Sequence, residues 1–194
     1  MATDVNVPGP RRGSRWTLLI WGGAALLLSL PFFAMRFTTE VDWGPEDFIV
    51  MGIMLATVCG VVELVVRLSP SLAYRFATFA AIGAAFLITW ANLAVGIVGS
   101  EDNPVNQLFF AALLVGIVGS FVARFRANGM AIAMLTTAAA IAIAFVVAVA
   151  GVTDEPNVSH WRELIATSII SSPFLVSALL YLKAARQQAA NIRS

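Results

Sequence analysis

The densest group of hydrogen-bonding side chains lies in Trp90–Gln107, WANLAVGIVGSEDNPVNQ, and comprises Asn92, Ser100, Glu101, Asp102, Asn103, Asn106 and Gln107. Further along stand Asp154, Glu155, His160 and Glu163, which could meet Glu101 and Asp102 across a loop cluster. One imidazole beside several carboxylates suits a divalent cation or acid–base work. The competing role is a solvated acidic rim that helps fix topology. His160 with Asp154 and Glu155 is the candidate metal set, but one histidine supports no His-rich site and no metal is assigned. There is no HExxH, GxSxG, paired cysteine or P-loop, so no enzymatic activity and no cofactor are expected. Nothing points to nucleic acid.

Three other positions carry polar groups inside apolar runs. Glu63 is an acid about three residues from a run's end, with Arg67 one turn on. Intramembrane acids read by default as functional, here a proton or cation site. An interfacial ion pair with Arg67, Arg75 or Arg124 is the alternative. Asn92 lies about six residues, roughly 9 Å, from its run's end. It bonds to another helix or meets a ligand. Thr167, Ser168, Ser171 and Ser172 precede Pro173. Proline frees a carbonyl one turn back that a hydroxyl can cover, and such a break can also line a permeation path.

The elements that position these residues are membrane helices. Of 194 residues, 59% are hydrophobic and 12% charged, with a mean hydropathy of +0.86, against roughly a quarter charged in soluble chains. Apolar runs of about 20 residues predict transmembrane helices near 16–34, 48–66, 76–98, 108–125, 130–152 and 164–182. The fold class expected is all-α: a polytopic membrane bundle of six transmembrane helices in three hairpins, spanning 16–185. Polar tails are expected at 1–15 and 186–194. The first run reads as a retained anchor rather than a cleaved leader, because FFAMR is a poor cleavage site. Pro45 suits a first helical position, with Glu46 and Asp47 in the first turn. Asn128-Gly129 reads as a turn.

Charge supports this threading. With both termini cytoplasmic, ten of the twelve Lys and Arg residues fall inside, all but Arg36 and Arg162. Most acids fall on the opposite side. This is the positive-inside pattern. Loops are short, with no room for a separate catalytic domain, so any chemistry must use the helices or these short loops.

Small residues recur at helical spacing. Helix three shows Thr78, Ala81, Ala85, Thr89, Asn92, Gly96 and Gly99, and helix four shows Ala112, Gly116, Gly119 and Ala123. Helix two shows Gly52, Ala56, Cys59, Gly60 and Glu63, with Cys59 as a small packing residue. Small faces permit the close approach that holds helices together in lipid. Helices three and four are expected to pack on each other along these faces. VGIVGS occurs twice, at Val95–Ser100 and Val115–Ser120, and both copies read as helix-packing motifs. Gly99 reads as a helix stop, Asn103 as an N-cap and Pro104 as the first residue of the next helix.

The segment WANLAVGIVGSEDNPVN resembles one in a family of uncharacterised small multi-pass inner-membrane proteins of Gram-negative bacteria. The likeness is strongest over Ile88–Phe110 and looser through Arg124–Met130. It implies a bacterial inner-membrane location, and it carries over no catalytic residues because no established activity goes with that family. The leading expectation is a structural or assembly partner of another membrane complex. The alternative is a small transporter or channel with a polar path through Asn92 and the helix-six serines. Expected partners are the lipid bilayer and a membrane protein or a second copy of the chain.

Overall fold

The computed structural model describes residues 13–100, 102–151 and 160–193. It is all-helical: α1 Gly13–Ala34, α2 Pro45–Leu68, α3 Leu72–Ala94, a 3-10 turn Pro104–Asn106, α4 Gln107–Val122, α5 Ala127–Gly151 and α6 His160–Arg193. Six helical spans among the described residues are long and apolar enough to cross a membrane. Their exposed Leu, Ile, Val and Phe side chains face the only solvent that favours them, lipid. The chain is a multi-pass membrane helix bundle. It divides into two compact units, Met1–Leu64 and Val65–Ser194, with the division inside α2.

In the first unit, α2 begins as expected: Pro45 is its first residue, and the Asp47 carboxylate accepts from Gly44 N–H at 2.9 Å. Two side-chain donors of α1 reach Glu63 of α2. Thr17 Oγ1 donates at 2.9 Å and Trp21 Nε1 at 3.1 Å, from positions one turn apart on α1. The Cys59 thiol, buried one turn before Glu63, points at Ile20 O at 3.8 Å. The small face of α2 therefore serves α1, as its spacing suggests.

In the second unit the helices stand in the spatial order α4, α5, α6, α3, while α3 and α4 barely touch. The expected packing of helix three on helix four is thus corrected. The small face of α4 is real but meets α5: Gly116 faces Thr137, where a Cβ would fall 2.5 Å from the hydroxyl, and Gly119 faces Ala133, where a Cβ would lie 3.0 Å from the alanine Cβ. α3 meets α6 instead, with Thr78 of its expected small face and the neighbouring Ala77 at the contact. Ser177 Oγ donates to Ala77 O at 2.8 Å, Thr78 and Tyr181 share a hydroxyl hydrogen bond at 2.8 Å, and Tyr74 packs edge-on against Tyr181 at 4.9 Å. Tyr74 Oη also donates to Phe125 O at 2.8 Å, tying α3 to the α4–α5 turn. Interhelical hydrogen bonds in membranes average only about 0.6 kcal/mol, so this cluster adds to close packing rather than replacing it. Tyr181→Phe should lower stability by about 1 kcal/mol. Thr78 would keep its bond to Tyr74 O at 3.1 Å, so no group is orphaned. Thermal unfolding in detergent would measure this.

Several helix ends differ from those the apolar runs suggest. α3 starts and stops earlier than 76–98. Ser71 caps it, accepting from Tyr74 N, and it ends before Gly96, which takes φ +73°. The turn between α4 and α5 is not at Asn128-Gly129, which lie within α5. It is made by Arg124 and Phe125 at φ 50° and 57°, and Phe125 N–H donates to Ser120 O at 3.2 Å, closing the end of α4. Gly129 has a different task, since a Cβ there would sit 2.6 Å from the Ala123 Cβ. α6 runs through 186–193, where a polar tail is expected, because Ala184 is still buried and nothing in KAARQQAANIR breaks a helix.

Candidate functional site

Asn106 organises the polar stretch. Its Oδ1 accepts from the backbone N–H groups of Ile97, at 3.1 Å, and Val98, at 3.0 Å. Its Nδ2 donates to Val98 O at 3.3 Å and Ser100 O at 2.8 Å. A carboxamide has two N–H donors and one oxygen with two lone pairs, so every hydrogen-bonding position is used. Two donors on one side and two acceptors on the other also fix which end is oxygen. The side chain is 3% exposed, and the Val98 that it holds is fully buried. Gly96 and Gly99, both at φ +73°, turn the chain around it.

Asn103 works beside it, as expected. Its Oδ1 accepts from Val105 N at 3.0 Å and caps the 3-10 turn, whose first residue is Pro104. The helix stop moves to Val95 and Gly96, so Gly99 forms a second bend rather than the stop. The first VGIVGS copy is therefore loop, not a packing face, while the second lies inside α4. One hexapeptide takes two conformations because only the first has an asparagine eight to nine residues on to replace its helical hydrogen bonds.

The remaining candidates fall in different places. Asp102 is exposed; Glu101, Asp154 and Glu155 lie outside the described residues, as do the side chains of His160 and Glu163. Among the described residues, no group of His, Cys, Asp and Glu could hold a metal ion. Ser168 and Ser172 are exposed and Ser171 half-buried. Their hydroxyls bond within α6: Ser171 to Ser168 O at 3.4 Å and Ser172 to Ile169 O at 3.0 Å. Ile169 O is the carbonyl that Pro173 leaves without a helical donor, so Ser172 covers the proline defect. These serines do not join Asn92 along an interior path.

Glu63 is held by Thr17 and Trp21, a seat that the spacing to Arg67 did not suggest. Glu63→Gln keeps an acceptor oxygen and should change unit stability little. Glu63→Leu leaves both donors without that acceptor and should cost about 1–2 kcal/mol. Paired melts of the two variants would separate these outcomes.

Among the described residues, two buried polar side chains have no protein partner. Both amide atoms of Asn92 and the hydroxyl of Thr167 are unpaired, at 4% and 6% residue exposure. Thr167 belongs to the helix-six polar group, yet it rather than the serines faces inward. The signal was available in the helical phase: Thr167, Phe174, Ala178 and Tyr181 share one buried stripe, from which Ser168 and Ser172 are turned away. No family model matches the chain, and no curated protein or solved structure is significantly similar to it.

Proposed function

We propose that this chain is a structural or assembly subunit of a larger membrane complex, acting through its surface rather than through a catalytic centre or a conduction path. The observation that carries this reading is the use made of its polar groups. Asn106 and Asn103 build the loop between α3 and α4, Thr78, Ser177 and Tyr181 join α3 to α6, and Ser172 covers the break at Pro173. These polar side chains serve architecture. What the bundle offers a neighbour is a set of helices bearing exposed apolar side chains and short connections. The basic residues at the α2–α3 and α4–α5 turns and along the end of α6 support an N-terminus on the cytoplasmic side, and the resemblance of the Trp90–Asn106 segment supports the inner membrane of a bacterium.

Extraction in a mild detergent followed by native mass spectrometry tests the proposal. A stoichiometric protein partner, or a defined assembly containing several copies of this chain, is the expected result. A monodisperse single chain from the native membrane, at protein concentrations where membrane assemblies survive, would overturn it.

A further inference from the structure

The turn between α4 and α5 joins two membrane spans, Pro104–Val122 and Ala127–Ala148, so it lies at a bilayer surface. Its central residues, Arg124 and Phe125, sit at φ 50° and 57°. Bulky side chains are strained in this left-handed region, and strain of this kind concentrates where side-chain placement matters. Asn128-Gly129, which could turn at lower cost, stand just beyond and remain helical. What the turn secures is a particular display. The Phe125 ring packs edge-on against Phe121 at 5.3 Å, and both rings are more than half exposed, as is Val122. Arg124 and Arg126 flank Phe125, and both are exposed. Tyr74 Oη holds the Phe125 carbonyl at 2.8 Å, and Phe125 and Arg126 N–H groups donate to Ser120 O and Ala123 O.

Basic residues at helix ends often serve topology alone, and some have an internal task. Arg75 donates to Ser69 O at 2.7 Å and Val66 O at 2.9 Å, covering carbonyls at the end of α2. Arg124 and Arg126 differ: among the described residues neither guanidinium has a hydrogen-bond or ion-pair partner. Asp102, the one acid of this unit with a described side chain, precedes the opposite end of α4. The turn therefore presents two uncompensated positive charges beside an apolar aromatic pair. The planar guanidinium fork matches phosphate oxygens, and its stem can lie along apolar surface while the head reaches the polar layer.

We propose that the α4–α5 turn is a docking site for an anionic phospholipid. Arg124 and Arg126 take the phosphodiester, and Phe121 and Phe125 lie against the acyl chains below it. The absence of a nearby described acid favours a headgroup with net negative charge over a zwitterionic one. The site does not depend on a partner subunit.

Native mass spectrometry of the full chain in a nonionic detergent tests this, with phosphatidylglycerol or phosphatidylcholine of identical acyl chains as probes. The unmodified protein should bind phosphatidylglycerol the more tightly. Arg126→Gln, outside the left-handed pair, should weaken that binding about fivefold. Adding Arg124→Gln should remove the preference and leave phosphatidylcholine binding unchanged. Lys183→Gln with Arg186→Gln, at exposed positions on α6, should leave the preference intact. Equal binding of the two lipids by the unmodified protein overturns the proposal whatever the variants do to folding. An equal loss in the α6 variant would mean diffuse charge attraction and also overturns it. So does displacement of phosphatidylglycerol by inorganic phosphate at matched ionic strength, which would mean a site for the free anion. Lipid adducts and protein partners differ in mass, so this result is read separately from the assembly role.

Discussion

Asn106→Leu should dismantle the loop between α3 and α4 and lower the stability of the second unit by about 2–4 kcal/mol. Leucine has the branched shape of asparagine and leaves no cavity. It removes all four hydrogen bonds to Ile97, Val98 and Ser100. Ser100 is exposed and its carbonyl can turn to water, but Val98 is fully buried, so its N–H and C=O become unpaired in an apolar setting. Asn106→Asp should also fail. It keeps two acceptors but sets a carboxylate oxygen against two carbonyls that need donors. Gly96→Ala tests the same network from the backbone. A Cβ would lie 2.4 Å from Ser100 O and 2.8 Å from Asn106 Nδ2, at a φ of +73°. Because both changes break one network, their combined effect should be less than the sum of the two. Unfolding in detergent gives the magnitudes, and proteolysis within 95–103 should appear in the variants alone.

Gly116→Ala is the second large effect, and its sign is informative. In a free helix, alanine would be favoured over glycine by about 1 kcal/mol. Here a Cβ would fall 2.5 Å from Thr137 Oγ1 and 3.3 Å from its Cγ2. Thr137 is β-branched, 1% exposed, and bonded through its hydroxyl to Ala133 O at 2.7 Å. It has little freedom to rotate away. Overpacking of this kind costs about 1–3 kcal/mol, so α4 and α5 must separate. Thr137→Ala should rescue the variant, since it removes the opposing atoms and its own hydroxyl bonds only within α5. Melting of the single and double variants measures the coupling. A Gly116→Ala protein as stable as its parent would show that α4 and α5 do not meet here.

Much of the architecture was legible because membrane helices announce themselves by length. A run such as PEDFIVMGIMLATVCGVVELVVRL leaves no other option in lipid, and Pro45 and Asp47 start it as their chemistry directs. The small residues at Gly116 and Gly119 were also legible as a packing face. Their partner was not, because spacing shows that a face exists and says nothing of which helix meets it. The two VGIVGS segments show a second limit. Glycine permits both helix and left-handed turn, and the choice at Gly96 depends on Asn106, ten residues away in sequence and in contact only after folding. The α4–α5 turn marks a third limit. Arg124 and Phe125 adopt a conformation that asparagine and glycine prefer, so the residues that turn the chain carry no turn signature, while Asn128-Gly129 carries one and does not turn. Asn92 stood out as a polar group within an apolar run, whereas Thr167 was separated from its neighbouring serines only by helical phase.

The second unit has an interior closed by packing, in which Asn106, Thr78, Ser177 and Tyr181 join its elements. Cysteine accessibility tests it most directly. In a Cys59→Ala background, single cysteines at Asn92, Thr137 and Ser177 sample that interior along its length, all at buried positions, and Ser168→Cys marks an exposed position on α6. A charged, membrane-impermeant thiol reagent applied from each side of the membrane should leave the three interior cysteines unmodified in the folded protein and modify them after denaturation. Rapid labelling of the cysteines at 92, 137 and 177 in the folded protein would reveal a continuous aqueous path and contradict the account.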